Sequence, residues 1–160
     1  MNIFDALNIF YREDTISDFL INCFKDSNKF LIRFLNEAKI QVGGNTTFLI
    51  DSRVGLGENI GTPDIVIRAS TDNKMKFIIL ENKMGAAEGH EQTNRYESLE
   101  ARTRIANKYK VAFENSEFHY IFLALDTTAS PKNSQFSFLN YNIFLLGDWP
   151  LQEETSSVYI

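Results

Sequence analysis

Residues 61–67, Gly61-Thr62-Pro63-Asp64-Ile65-Val66-Ile67, and residues 77–83, Phe77-Ile78-Ile79-Leu80-Glu81-Asn82-Lys83, decide how this chain is read. Each is an apolar, β-branched run with charge at one end, the pattern of a buried strand. Between them Thr71-Asp72-Asn73-Lys74 supplies turn-forming residues, so the two runs form an antiparallel hairpin. A tight turn at Asp72-Asn73 pairs Thr71 with Lys74 and, counting outward, sets Asp64 opposite Glu81. Opposed residues hold their Cβ atoms about 4.5–5.5 Å apart, a spacing at which two carboxylates repel unless they share a cation. Burying such charges costs several kcal/mol unless they are paired or bound to metal, so a divalent metal ion is the obvious reason for them. Period-two alternation keeps Lys83 on the face of Glu81 and turns Asn82 into the opposite layer. A lysine there can orient an attacking water while a metal neutralises charge on a phosphoryl oxygen, which is the chemistry of phosphodiester hydrolysis.

Outward from the hairpin, the N-terminal side is helical. Ile16, Phe19, Leu20, Cys23 and Phe24 recur at helical spacing, and Phe30, Leu31, Phe34 and Leu35 resume it after Asp26-Ser27-Asn28, which predicts two helices. Gly43-Gly44-Asn45 ends this region and Thr46 to Ile50 reads as a first strand. On the C-terminal side, Ala86 to about Lys110 reads as one long polar helix with Tyr96, Leu99, Ala106 and Tyr109 on one face. Phe118 to Leu125 is a buried strand, and Phe136 to Leu146 is either a strand or a strand turning into a helix near Asn140. Gly55-Leu56-Gly57-Glu58-Asn59-Ile60-Gly61 precedes a strand and lacks a following Lys-Ser/Thr, so it is a flexible connection or a plain turn and not a phosphate-binding loop.

Composition sets the frame for these elements. With 160 residues and 44% hydrophobic content, and without a repeat or a linker, residues 1–160 read as a single domain with a real core. A single cysteine excludes an internal disulfide, no leader pattern opens the chain and no apolar stretch approaches the ~20 residues that span a bilayer. The expectation is a soluble, cytoplasmic protein without a membrane partner. A net charge of -5 gives no global basic field, so any nucleic-acid partner must be held by a local patch or through metal bridging to phosphate.

Three further residues belong with the hairpin. Glu13 precedes Ile16 and Leu20 by three and seven positions, which sets it on the apolar stripe of the first helix; an ordinary first-turn acid complementing the helix dipole is the plainer reading. Gln92 and Tyr96, an i, i+4 pair, share a helix face with Leu99, with Glu88 one turn earlier as a plain solvated acid. Arg95 and Arg102 join Arg104, Lys108 and Lys110 in a basic bias that could track phosphates, although Glu91, Glu97 and Glu100 interrupt it and a salt-bridged surface accounts for it as well. His90 has no second ligand at zinc spacing and reads as a surface residue.

Taken together, Pro63-Asp64 followed by Glu81-Asn82-Lys83 resembles the PD-(D/E)XK nuclease superfamily. Gln92-Thr93-Asn94-Arg95-Tyr96 is similar to the QxxxY motif of its helicase-nuclease branch, and the stretch from Glu81 to Tyr96 looks like a bacterial and phage subgroup. The resemblance implies an α/β, restriction-endonuclease-like αβββαβ core, a central mixed sheet flanked by helices. It further implies Mg²⁺ or Mn²⁺ held by Asp64 and Glu81, with the Asn82 carbonyl and Glu13 as further ligands, and Lys83 positioning water. Gln92 and Tyr96 would order the site or the nucleic-acid backbone; the basic bias separately offers Arg95 and Arg102, with Tyr96, as nucleic-acid contacts, DNA being the expected substrate. Where the subgroup continues into a further helix, Gly147-Asp148-Trp149-Pro150 intervenes, so residues 146–160 are expected to be irregular and the C-terminus shortened. The competing reading is a catalytically inactive nuclease-fold module that binds nucleic acid or a partner protein. A homodimer fits either. Glycoside hydrolysis by the close carboxylates leaves Lys83 and the Gln/Tyr pair without a role.

Overall fold

The hairpin turns where its sequence says it should. Strand β2 (Ile65–Thr71) pairs antiparallel with β3 (Lys74–Lys83) in the register Thr71 with Lys74, Ile67 with Ile78 and Ile65 with Leu80. That register, carried one residue further, sets Asp64 opposite Glu81. The computed structural model describes residues 12–85, 87–125 and 129–150. Strand β1 (Thr47–Ser52) pairs antiparallel with β2, while β4 (Ser116–Ala124) and β5 (Phe136–Asn140) add in parallel to the far side of β3, giving a five-stranded mixed sheet in the order β1-β2-β3-β4-β5. Central β3 is apolar on both faces because both are covered: Phe77, Ile78, Ile79 and Leu80 are fully buried.

Alternation divides those residues between two layers. Ile78 and Leu80, with Ile65 and Ile67, pack under helices α1 (Glu13–Asp26) and α2 (Asn28–Glu37), against Phe24, Leu31, Phe34 and Leu35. Phe77 and Ile79, with Val66, pack under α3 (Gln92–Glu97) and α4 (Leu99–Lys108), against Tyr96, Ala101 and Ile105. The break between α1 and α2 falls at the expected place. Ser27 is extended (φ -142, ψ 109), and its buried hydroxyl caps α2 by accepting the Phe30 N–H at 3.2 Å.

The segment after β3 departs from expectation. The sequence predicts one helix from Ala86 to about Lys110; Ala86 lies outside the described residues, and from residue 87 onward the chain forms two short helices that begin at Gln92 and break at Ser98. Ser98 takes an extended ψ of 152; its hydroxyl caps α4 by accepting the Ala101 N–H at 3.1 Å and donates to the Arg95 carbonyl at 2.7 Å. Serine competes in this way with the helical ladder. The break resets the helical phase, so Tyr96 and Ala106 are buried as read while Leu99 is 63% exposed and lines no face with them.

The undecided C-terminal stretch is both things in turn. After β5, Asn140 caps a 3₁₀ turn (Tyr141–Leu145) by accepting the Asn142 N–H at 2.9 Å. Residues 146–150 are irregular but docked: Trp149 packs on Phe30 and Phe144, and Arg33 stacks on its ring while donating to the Leu146 and Asp148 carbonyls. Residues 151–160 lie outside the described residues. Ser98→Ala removes the α4 cap and is expected to lower unfolding free energy by about 1 kcal/mol, measured by chemical denaturation.

Candidate active site

The β2/β3 hairpin ends in charge where the sheet reaches α1 and α3. Asp64 Oδ2 accepts the Asn82 backbone N–H at 2.7 Å, which ties the start of β2 to the end of β3. Glu81 is 2% exposed, and its Oε1 accepts from the Gln92 amide at 2.7 Å and from Lys83 Nζ at 2.9 Å. Its Oε2 is buried and has no hydrogen-bond partner. Lys83 is itself buried, with Glu13 Oε2 3.7 Å from its ammonium.

Flanking elements hold these groups in place. Glu13, the first residue of α1, is half-buried and accepts the Met84 backbone N–H at 3.1 Å, so it reaches inward from the helix start. Gln92, at the start of α3, donates to both Glu81 and the Tyr96 hydroxyl, the latter at 3.0 Å. Tyr96 is 2% exposed, so its ring lies in the core and presents no surface to a nucleic acid; it acts by holding Gln92. Gly61, at φ +109, closes over the tyrosine, where an added Cβ would stand 3.5 Å from the ring. The glycine-rich loop is accordingly packed rather than loose: Val54, Leu56 and Ile60 are buried, and Arg104 donates to the Leu56 carbonyl at 2.6 Å.

Asn82 faces the opposite layer as its position in the strand requires. Its amide donates to Ser17 Oγ at 3.0 Å, and its Oδ1 accepts from the Tyr141 hydroxyl at 2.7 Å. It therefore bolts β3 to α1 and to the C-terminal 3₁₀ turn. Ser17 stands four residues after Glu13 on the same helix face, a signal available in the sequence. Tyr141 carried none, because its segment had no decided structure.

Glu88 departs from its expected role as a plain solvated acid. One oxygen accepts from the Thr93 N–H and hydroxyl at 2.8 and 2.7 Å, and the other accepts the Lys132 N–H at 2.7 Å, which staples residues 130–133 to the start of α3. Burial penalises its charge, but these donors outweigh the penalty and hold the carboxyl below its usual range. Arg95 and Arg102 are half-buried on α3 and α4, Arg102 lying 3.6 Å from Glu97, and neither touches the Asp64 group. His90 is exposed.

Burial, then mutual repulsion, dominates the electrostatics. Desolvation pushes Asp64 up to about 6, against the opposing pull of the Asn82 N–H and Lys83. Desolvation and the neighbouring Asp64 charge push Glu81 up to about 7, again against Lys83. Burial pulls the Lys83 ammonium down, but Glu81 and Glu13 outweigh it and its net shift is upward.

These residues fit a hard divalent cation. A buried carboxylate oxygen without a partner, beside a second carboxylate that resists ionisation, is a donor pair that a cation would satisfy. Among the described residues no group of three or more His, Cys, Asp and Glu is assembled to hold an ion. The rest of a coordination shell would come from backbone carbonyl, water or substrate phosphate, which is how Mg²⁺ is commonly bound.

A family model described as the PD-(D/E)XK nuclease superfamily matches residues 1–149. The chain belongs to the PD-(D/E)XK nuclease superfamily. The five-stranded mixed sheet with helices on both faces is the restriction-endonuclease-like architecture read from the sequence. Superfamily membership supports a nuclease-type function, a nucleic-acid partner and the general use of divalent metal ions. No curated protein and no solved structure matches the chain. Among the described residues no helix is long and apolar enough to cross a membrane.

Two outcomes follow from this geometry. Asp64 and Glu81 titrate higher in the folded than in the unfolded chain, so the stability they carry is full below about pH 4 and drains as pH rises through about 7. With divalent cations chelated, the thermal midpoint should fall by a few degrees between about pH 5 and about pH 8, and Asp64→Asn should flatten that slope. Tyr141→Phe leaves the buried Asn82 Oδ1 without its donor and should cost about 1–3 kcal/mol in chemical denaturation.

Proposed function

We propose that this protein is a metal-dependent nuclease that hydrolyses phosphodiester bonds, with DNA as its substrate. The observation that carries the reading is the pairing of half-buried Asp64 with buried Glu81, whose Oε2 is unpartnered while its Oε1 accepts from Lys83, in a chain of this superfamily. Asp64 and Glu81 would hold Mg²⁺ or Mn²⁺, with Glu13 and the Asn82 carbonyl as further donors. Such an ion, when bound, neutralises the two carboxylates, polarises the phosphoryl group and lowers the pKa of water.

Lys83 would orient the attacking water and stabilise its developing hydroxide character through its ammonium protons. The water oxygen adds to phosphorus, the ester P–O bond breaks, the water's proton passes to solvent and the leaving oxygen takes one back. Gln92 fixes the rotamer of Glu81, and Tyr96 and Glu88 fix Gln92 and the start of its helix. Glu13 holds the lysine and the Met84 N–H, so the strand end that carries Lys83 stays aligned. Arg95, on the helix that carries Gln92, and Arg102, on the next helix, would contact phosphate.

The test is cleavage of plasmid, single-stranded DNA and RNA with and without Mg²⁺ or Mn²⁺, together with calorimetry of metal binding. Cleavage should require the metal, and Asp64→Ala should abolish both cleavage and metal binding. Lys83→Ala should reduce the rate by about 100-fold or more. Activity that survives the joint loss of Asp64 and Lys83 would sink the mechanism. No binding at millimolar metal would favour the inert module instead.

A further inference from the structure

Arg53 lies where β1 hands the chain to the site. It adopts a left-handed φ of 48, and its backbone N–H donates to the Asp64 carbonyl at 2.8 Å, so its Cα is fixed beside a residue of the central pair. The guanidinium is exposed and pairs with Asp18 Oδ1 of α1 at 2.9 Å, with Asp14 and Asp64 adding to the acidic field around it. Lys83, by contrast, is buried and engaged by Glu81 and Glu13.

We propose that Arg53 grips the phosphodiester backbone of the nucleic acid beside the Asp64 and Glu81 pair, and that Asp18 holds its guanidinium in the free protein and yields it to the substrate's phosphate. This rests on the nuclease reading. A chain of net charge -5 offers an anionic polymer no general attraction, so a local cation at the site counts for more than it would on a basic surface. Guanidinium matches phosphate in a bidentate fork and exchanges one anion for another without changing its own charge. An ion pair with both partners exposed contributes little to stability, which makes Asp18 a poor strut and an easily displaced partner. The bond from its N–H to the Asp64 carbonyl fixes the Arg53 backbone beside the site, and its exposed guanidinium is held there only by Asp18 among the ion pairs of the described residues.

The test is fluorescence anisotropy with labelled single- and double-stranded DNA oligonucleotides in EDTA, where no metal-dependent cleavage competes, across a salt series. Arg53→Ala should weaken binding about 10-fold and reduce the salt slope by about one phosphate contact. Arg53→Lys should recover part of the loss, because it restores the charge without the fork. Asp18→Asn is the deciding variant: it should tighten binding about 2- to 3-fold, since it releases the guanidinium from its competitor. The proposal is overturned if Asp18→Asn weakens binding as Arg53→Ala does, which is the behaviour of a strut. It is equally overturned if Arg53→Ala changes neither affinity nor salt slope, or if the native chain binds neither oligonucleotide. Failure of Mg²⁺-dependent cleavage with this binding pattern intact would sink the nuclease reading and leave the assignment of Arg53 standing.

Discussion

Two carboxylates facing each other across an antiparallel hairpin, Glu81 buried and Asp64 half-buried, form the constraint on which the rest depends. Each buried charge costs several kcal/mol, and the pair adds repulsion to desolvation. The surrounding structure answers that cost group by group. The Asn82 N–H serves Asp64, and Gln92 and Lys83 serve one oxygen of Glu81 while the other is left without a partner. A buried acceptor left so is one that a cation would satisfy.

Rigidity of the hairpin makes that arrangement possible. Both faces of β3 are covered, one by α1 and α2 and the other by α3 and α4, so its end cannot shift without disturbing two cores. Asn82 turns its side chain away from the charges and into the first core, where Ser17 and Tyr141 hold it. Glu81 and Lys83 turn toward the second, where Gln92 rests on a buried Tyr96. Adjacent residues on one strand thus anchor the strand and carry the charge, a division of labour that follows from side chains alternating across a sheet.

The parts of the fold that were legible are those with strong local chemistry. The hairpin register followed from a two-residue turn and two apolar runs, and the break between α1 and α2 from Asp26-Ser27-Asn28. The long polar helix was misread because nothing in Ser98 announces a break until its hydroxyl finds Arg95 and Ala101. Glu88 looked solvated for the same reason: its partners at Lys132 and Thr93 lie 44 and 5 residues away, and the distant one is brought close only when residues 130–133 return beside α3. For Tyr96, helical periodicity identifies a face without saying which layer it meets, so the choice between ordering the site and meeting the nucleic-acid backbone stays open in the sequence.

By itself the sequence determined the two buried strands, their register, the facing of Asp64 and Glu81, and the side on which Lys83 lies. These follow from period-two alternation and turn chemistry, which act over a few residues and need no knowledge of the rest of the chain. Tertiary structure decided which groups attend to those charges: Gln92 at Glu81, Glu13 at Met84 and Lys83, Tyr141 at Asn82, and Arg53 between Asp18 and Asp64. Such pairings join residues far apart in the chain, and their geometry exists only once helices from both faces have packed against the sheet and excluded water between them.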